Sequence, residues 1–225
     1  MSKDETLGEA LRRQGVTRRG FLKFCAATAS MMALPPSMVP AIAAALEKAR
    51  RPSVIWLSFQ ECTGCVESLT RSHSPTVEGL IFDAISLDYQ HTLQAAAGSA
   101  AEAAREASME ENYGKYILIV DGSIPLANPG YSTIAGISNL AMLEETAKGA
   151  AAVVSMGSCA AFGGIPKARP NPTGAVSVSD IVKDKPIINV PGCPPIPVVI
   201  TGVLAHFLVF GTIPELDALG RPMAY

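Results

Sequence analysis

Short apolar, β-branched runs alternate with helical stretches along the chain after residue 52. The apolar runs are short enough to be strands, and the sequence predicts them over Ser53–Phe59, Ala84–Asp88, Tyr116–Val120, Ala151–Met156 and Pro186–Val190. Helical composition or spacing predicts helices over Thr76–Phe82, Thr92–Met109, Ile137–Lys148 and Val198–Phe210. Several strands are apolar on both faces, which is typical of parallel sheets covered by helices on each side. The predicted fold class is therefore α/β, a doubly wound and mostly parallel sheet.

The first 45 residues have a different pattern. Two arginines lie in the stretch Thr17–Lys23, ahead of the apolar stretch Phe24–Leu34, which is shorter than the roughly 18 to 20 residues that span a bilayer. Small residues at Ala41–Ala45 are candidates for cleavage. The pattern resembles a twin-arginine export signal, and a basic surface helix is the alternative. We expect residues 1–45 to be a removed signal peptide and the protein to reach the periplasm already folded.

Composition and charge indicate a globular protein and argue against nucleic-acid binding. The chain has 225 residues, of which 48% are hydrophobic and 17% charged, and this is the composition of a folded globular protein. The formal net charge of -2 provides no basic surface for nucleic acid, and the compact basic group lies in the predicted signal. We expect no nucleic-acid partner.

Cysteines follow three of the predicted strands. Cys25 lies in the predicted signal, which leaves Cys62 and Cys65 after the first strand, Cys159 after the fourth and Cys193 after the fifth. The carboxyl ends of parallel strands meet at one edge of the sheet, where ligands bind in such folds. We expect one convergent site of four thiolates, which is a complete ligand set for an iron–sulfur cluster or for zinc.

Three kinds of site can contain a C-x-x-C pair. A redox dithiol would give no role to the third and fourth cysteines. Structural zinc usually takes its cysteines from two closely spaced knuckles, whereas here the last two cysteines are single and far apart in the sequence. Glycines and prolines around the later cysteines, in the stretches 157–164 and 191–195, suit a backbone that approaches a buried anionic cofactor closely. A cluster is favoured, and zinc remains open as the site of an exported metal-binding module.

Four motifs give the cysteines a family context. They are ECTGCVES, VSMGSCAAFGG, NPTGAVS and INVPGCPPIP, in this order behind the twin-arginine pattern. Together they resemble the small subunit of [NiFe] hydrogenases, over about residues 17 to 225. A homologous subunit of respiratory complex I is an alternative, but those subunits typically carry adjacent cysteines and lack the export signal.

The resemblance implies a flavodoxin-like iron–sulfur domain over residues 46–225. It implies that Cys62, Cys65, Cys159 and Cys193 bind the [4Fe-4S] cluster nearest the active site. The Ni–Fe site would lie in a large partner subunit, so that this chain contributes no catalytic residue to an oxidoreductase acting on H2. It would relay electrons to a membrane cytochrome or another acceptor, with any membrane association made through a partner.

Two departures from the family pattern qualify that expectation. Oxygen-tolerant members carry extra cysteines near this cluster, whereas Gly64 and Gly164 occupy the corresponding stretches here, so we expect a conventional four-cysteine cluster. Complete members continue into a C-terminal domain that binds two further clusters. The present sequence ends at Tyr225, before any of those ligands, and we expect that domain to be absent from it.

Two acidic residues are candidates for the surroundings of the cluster. Glu61 adjoins the first cysteine and resembles an acid that passes protons near the subunit junction in the family, although solvation alone also explains it. Asp121 ends the third predicted strand and faces the same edge as the cysteines, where it is either a hydrogen-bonding partner near the cluster or an ordinary turn former.

Overall fold

The computed structural model describes residues 6–13, 15–32, 34–48, 51–73 and 75–224. The strands are β1 Ser53–Ser58, β2 Ser86–Tyr89, β3 Tyr116–Asp121, β4 Ile124–Pro125, β5 Thr133–Ile134, β6 Ile137–Ser138, β7 Ala150–Met156, β8 Ala175–Val176 and β9 Ile187–Val190. The helices are α1 Leu7–Arg13, α2 Arg18–Met31, α3 Val39–Lys48, α4 Gly64–Thr70, α5 Val77–Gly79, α6 Ser99–Glu111, α7 Asn139–Lys148, α8 Gly157–Phe162, α9 Gly164–Lys167, α10 Val178–Ile181 and α11 Pro197–Phe210. Short 3-10 or π turns cover Pro36–Met38, Leu80–Ala84 and Pro129–Tyr131.

The central sheet is parallel. Its five strands lie in the order β2-β1-β3-β7-β9, and each neighbouring pair runs in the same direction. Counted in chain order, the central strands follow 2-1-3-4-5, which is the flavodoxin-like arrangement, with its switch in strand order between β1 and β3. The predicted fold class is confirmed. The order also fixes the edge at which a ligand is expected, beyond the carboxyl ends of these strands.

Two apolar cores lie on opposite faces of the sheet. In β3, Ile117 and Ile119 pack into the core shared with α11, whereas Leu118 and Val120 pack into the core shared with α7. Both β1 and β3 are buried along their whole length. Since successive strand residues point to opposite faces, a strand covered on both sides needs apolar residues at every position, and these continuous runs are what the sequence displays.

The helix predicted from Thr92 begins later than expected. The buried side chain of Gln90 accepts hydrogen bonds from the backbone N–H groups of Thr92 and Leu93, at 2.7 and 2.6 Å, and holds this stretch in a turn. The helix α6 starts only after Gly98, whose φ is +58°. Helix propensity favoured the earlier start, and local side-chain-to-backbone hydrogen bonds from Thr92 and Leu93 to Gln90 competed with it. The short strand predicted at Ala84–Asp88 is likewise displaced, because Ala84 ends a π turn and β2 begins at Ser86.

The N-terminal helices pack against the body of the protein. Leu7 of α1, Cys25 and Ala29 of α2, and Ile42 and Leu46 of α3 are buried in the same core as α11 and the sheet. The division of the chain at residue 45 stays a prediction, and residues 1–5 and Tyr225 lie outside the described residues. None of the helices within the described ranges is both long and apolar enough to cross a membrane.

Candidate metal centre

The first two cysteines lie where β1 passes into α4. Beyond β1, the backbone of Gln60 is bonded to Ser123, with N–H donors 3.2 and 3.1 Å from the carbonyl oxygens, so that the chain stays beside β3 up to the cysteines. Thr63, between Cys62 and Cys65, has φ +64°, an uncommon conformation for a β-branched residue. Such strain is tolerated where the surroundings fix the chain, and it is frequent at functional sites.

The third cysteine lies in a short helix and not in a loop. Gly157 has φ +84° and starts α8, which contains Cys159 and ends at Gly163. The Gly163 N–H donates to the carbonyl of Cys159 at 2.8 Å, and Gly164 follows with φ +56°. The sequence identified the glycines around this cysteine but not the helical turn, because six residues carry too little periodicity to be recognised.

The fourth cysteine is tied to the third through backbone contacts. The Ser158 N–H donates to the carbonyl of Gly192 at 2.8 Å, and the Gly192 N–H donates to the Ser158 hydroxyl at 3.2 Å. The Ser68 hydroxyl of α4 donates to the carbonyl of Pro195 at 2.5 Å. The segments that carry Cys65, Cys159 and Cys193 are therefore fixed to one another by hydrogen bonds. Neither serine was singled out from sequence, where each is one hydroxyl among many.

Close approach between glycines and sulfur atoms defines the interior of the site. A Cβ added at Gly157 would lie 2.4 Å from the Cys65 Sγ, and one added at Gly164 would lie 2.6 Å from the Cys159 Sγ. At Gly64 the corresponding distance to the Cys62 Sγ is 3.2 Å. The Cys65 thiol also donates to the carbonyl of Met156 at 3.7 Å. Any side chain at Gly157 or Gly164 would displace a thiol, so these two positions require glycine for space as well as for backbone conformation.

The four thiols share one electrostatic environment. Burial raises the pKa of Cys65, and the charges of Asp121, Cys159, Cys62 and Glu61 raise that pKa further. Burial also raises the pKa of Cys159, and the charges of Cys193 and Cys62 raise it further. A backbone hydrogen bond from Ile165 lowers this pKa. The thiols of Cys65 and Cys159 therefore resist ionisation unless positive charge accompanies them, as it does when a metal cation binds.

The donor set fits an iron–sulfur cluster. All four cysteines are free, with Cys62 and Cys193 exposed and Cys65 and Cys159 half-buried. Four cysteine thiolates are the usual ligand set of [4Fe-4S] clusters, and the glycines leave the sulfur atoms approachable by an inorganic group. In the part of the chain that the structure describes, no three His, Cys, Asp or Glu side chains form a group tight enough to hold a single metal ion.

Asp121 ends β3 beside this site. Its side chain is fully buried, and Oδ1 accepts a hydrogen bond from the Trp56 Nε1–H at 2.9 Å. Oδ2 has no hydrogen-bond partner among the described residues. Burial, assisted by the charge of Glu61, raises the pKa of Asp121 to about 7, although the nearby Ser58 hydroxyl and the Trp56 hydrogen bond lower it. The sequence predicted Asp121 at this edge but gave no sign of Trp56. Ser58 of β1 lies opposite Asp121. Trp56 lies two residues before Ser58 and therefore on the same face of the sheet.

Replacing Asp121 by asparagine should change how stability depends on pH. The buried carboxyl keeps its proton up to about pH 7, whereas an unfolded aspartate releases its proton near pH 4. Folding therefore takes up a proton in this window, and the native state loses stability as the pH rises through it. Asparagine does not ionise. Between pH 5.5 and pH 7, the free energy of unfolding of Asp121→Asn should therefore rise by roughly 2 kcal/mol relative to that of the unsubstituted chain. Guanidinium denaturation at both pH values measures this, and a pH-independent difference would contradict it.

Glu61 is half-buried next to Cys62. Its Oε1 accepts a hydrogen bond from the Thr63 hydroxyl at 3.2 Å, and its Oε2 has no partner within the described part of the chain. Burial raises the pKa of Glu61, and the Thr63 hydrogen bond lowers it. The structure thus places both acidic candidates in the electrostatic surroundings of Cys65.

Comparison with known proteins identifies the family. The profile of the family described as NADH ubiquinone oxidoreductase, 20 Kd subunit, matches residues 62–207, which contain all four cysteines of the site. The uptake hydrogenase small subunit of Azotobacter vinelandii is 48% identical over 226 residues, covering 100% of this chain and 63% of that protein. The hydrogenase-1 small chain of Escherichia coli K12 is 44% identical over 226 residues, with 100% and 61% covered. The chain thus spans about three fifths of the length of these curated relatives.

A solved structure shows the same fold. The reduced, active form of the Ni-Fe-Se hydrogenase from Desulfomicrobium baculatum contains a chain that matches with a TM-score of 0.74 and 33% identity, covering 78% of this chain and 70% of that one. The recombinant [NiFeSe] hydrogenase from Desulfovibrio vulgaris Hildenborough matches with a TM-score of 0.71 and 34% identity, with 78% and 70% covered. Sequence and structure agree with the resemblance that the four motifs indicate, and the chain belongs to the family of hydrogenase small subunits.

Proposed function

We propose that this chain is the electron-transfer small subunit of a [NiFe] hydrogenase and that Cys62, Cys65, Cys159 and Cys193 bind one [4Fe-4S] cluster. The observation that supports the proposal is that the segments carrying the four free cysteines follow β1, β7 and β9 and are hydrogen-bonded to one another. When bound, such a cluster accepts and releases single electrons at a potential that its hydrogen bonds and its exposure tune. This is the cluster nearest the active site in the family, and no catalytic residue is assigned to this chain.

The chain's own residues hold and orient the sulfur atoms. The hydrogen bonds of Ser158 and Ser68 fix the three segments, and Gly157 and Gly164 keep the space beside Cys65 and Cys159 free. Asp121 lies close enough for its charge to act on Cys65, so we assign it a role in tuning that ligand. Glu61, with one carboxylate oxygen unpartnered in the described structure, is the proposed proton-path residue at the same edge.

A large subunit carrying the Ni–Fe site is the proposed partner. Large apolar side chains are exposed beside the cysteine segments, and they are Phe162, Ile165, Ile196 and Val198, with Ile165 78% exposed. Exposed apolar residues that cluster beside a site mark a protein interface more often than free surface. The curated relatives are named small subunits, which supports a heterodimer in which this face is covered.

The electron acceptor and the compartment complete the proposal. Electrons would pass on to a membrane cytochrome or another redox partner, through which the complex associates with the membrane. The twin-arginine pattern supports export of the folded protein to the periplasm, and Arg18 and Arg19 are both exposed at the start of α2.

Anaerobic isolation of the full chain together with its large subunit tests the function. We expect about four iron and four sulfide per small chain and a broad visible absorption that dithionite bleaches. A colourless chain with one zinc bound to the same cysteines would overturn the proposal in favour of a structural metal-binding module. Isolation of this chain alone as a soluble, cluster-replete and air-stable protein would count against the heterodimer.

A further inference from the structure

Helix α11 is apolar on all sides and therefore needs cover on all sides. Its 14 residues, PVVITGVLAHFLVF, contain no acidic or basic side chain other than His206. Ile200, Val203 and Leu204 are buried in the core that α11 shares with the sheet and the N-terminal helices. A helix without a polar face is stable in water only when its outer side is also buried. The outer side of α11 is consequently a docking surface, and its occupant is present in the structure.

The occupant is the N-terminal segment of the same chain. Helix α11 contacts α2 and α3, and α1 contacts the turn Leu80–Ala84. The five buried residues of these helices belong to the same core as α11. A cleft of about 520 Å³ remains between α1, α2 and α3, lined in part by Leu11, Val16 and Phe21.

The orientation of α2 separates the two parts of the predicted export signal. Arg18 and Arg19 are exposed at its first turn, which Thr17 caps by accepting a hydrogen bond from the Gly20 N–H at 3.1 Å. Cys25, Thr28 and Ala29 face the body and are almost completely buried, with exposures of 0%, 0% and 2%. The arginines are thus presented to solvent while the apolar side of the signal is covered.

The candidate cleavage region is helical and partly buried, with Ala41 and Ala44 exposed and Ile42 buried. Ala41–Ala45 lies within α3, and Ile42 in its centre is only 1% exposed. Proteolysis requires a locally unfolded and accessible backbone, so a peptidase would reach this region only after α3 has left the body.

We propose that the folded body holds its own export signal: α2 and α3 dock on α11, α1 packs on α3 and on the turn Leu80–Ala84, and the three helices withhold the apolar side of α2 from membranes and peptidase until they are displaced. The role of this packing in export rests on the proposed export function, whereas the packing of the N-terminal helices on the body does not depend on that function. Docking forms only when α11 is in place on the sheet, so it reports a folded body.

The buried thiol of Cys25 measures the docking directly. In the unprocessed full chain, which keeps residues 1–45 and is isolated with its cluster before export, native alkylation is followed by peptide mass spectrometry, which reads Cys25 separately from the other cysteines. We expect Cys25 to react much more slowly than a cysteine introduced at the exposed position Ala103→Cys of α6. A buried thiol is modified only through opening of its surroundings, and α2 has to leave the body for Cys25 to react.

Two alanines of α2 form a matched pair. Ala29→Glu buries an unpaired charge against the body and should accelerate Cys25 alkylation at least about tenfold. Ala26→Glu makes the same change at an exposed position of the same helix and should alter the rate by no more than about twofold. Equal effects of the two substitutions would overturn the proposal. So would alkylation of Cys25 in the unsubstituted chain as fast as that of Ala103→Cys, a result that needs no destabilised variant.

The same samples distinguish this inference from the proposed functions. Failure of the cluster assignment appears as missing dithionite-sensitive absorption, whatever the rate at Cys25. Replacing Arg18 and Arg19 by lysine should abolish export and leave Cys25 protected, because both side chains are exposed. If the double-lysine variant is still exported, the twin-arginine prediction is wrong and the docking proposal is unaffected. If Cys25 loses its protection in this variant, docking through the buried side of α2 is wrong.

Discussion

Cys159→Ala is expected to abolish assembly of the complete cluster. This cysteine is free, half-buried and subject to the charges of Cys62 and Cys193, so its loss leaves three thiolates at a site that needs four. Iron should fall clearly below the about four per chain expected of a full cluster, and the dithionite-sensitive absorption should be lost. Because the bound group stabilises the folded state, the free energy of unfolding should fall by more than about 3 kcal/mol. Iron analysis and denaturation of the anaerobically isolated protein measure both effects.

Cys25→Ala is the matched control for that result. Cys25 is also free, and it lies in α2 with its side chain fully buried in the core, outside the strand-end segments that carry the other four cysteines. Its removal should leave iron, sulfide and the visible spectrum unchanged. A Cys159→Ala protein that keeps four irons would remove this residue from the ligand set, and the four-thiolate site would fail with it.

Gly157→Ala should disrupt the site without removing any ligand. The new Cβ would lie 2.4 Å from the Cys65 Sγ, far inside van der Waals contact, and the residue would have to keep φ +84°. A left-handed conformation alone costs an alanine about 1 to 2 kcal/mol. Displacement of the Cys65 sulfur adds to this, so we expect a loss of more than about 3 kcal/mol in stability together with loss of most of the cluster iron.

Gly136→Ala separates backbone strain from the clash with sulfur. Gly136 has φ +81°, almost the same as Gly157, and a Cβ at this position meets nothing within 4 Å. This variant should lose only the about 1 to 2 kcal/mol of conformational strain and retain its full iron content. If the two alanine variants lost the same stability and the same iron, the close approach of Gly157 to Cys65 would have no role in cluster binding.

Much of the fold follows from local pattern. The strands β1, β3, β7 and β9 lie within one residue of their predicted bounds at each end, because a strand covered on both faces has to be apolar at every position. Helix α11 likewise matches its prediction within one residue. The error in helix α6 has a local cause. The residues from Thr92 onwards have helical composition, but the Gln90 side chain holds Thr92 and Leu93 in a turn, and the helix begins only after Gly98.

The sequence pattern of the N-terminal segment is compatible with two different binding surfaces. Its arginines and short apolar stretch predict an export signal, and the same residues form helices that pack against α11. Sequence patterns report what a segment can bind, whether a membrane or a protein core, since both favour an apolar side. Whether the segment binds a membrane or packs on the protein depends on which apolar surface the rest of the chain exposes to it.

By itself, the sequence determined the strands, the parallel sheet and the positions of Cys62, Cys65, Cys159 and Cys193 after strand ends, because periodicity and spacing are local properties of the chain. Tertiary structure decided how closely the Cys65 and Cys159 thiols approach Gly157 and Gly164, that Trp56 donates to Asp121, and that α2 and α3 pack on α11. These features depend on residues far apart in the sequence, and their distances are set by packing and hydrogen bonds that form only when the whole chain folds.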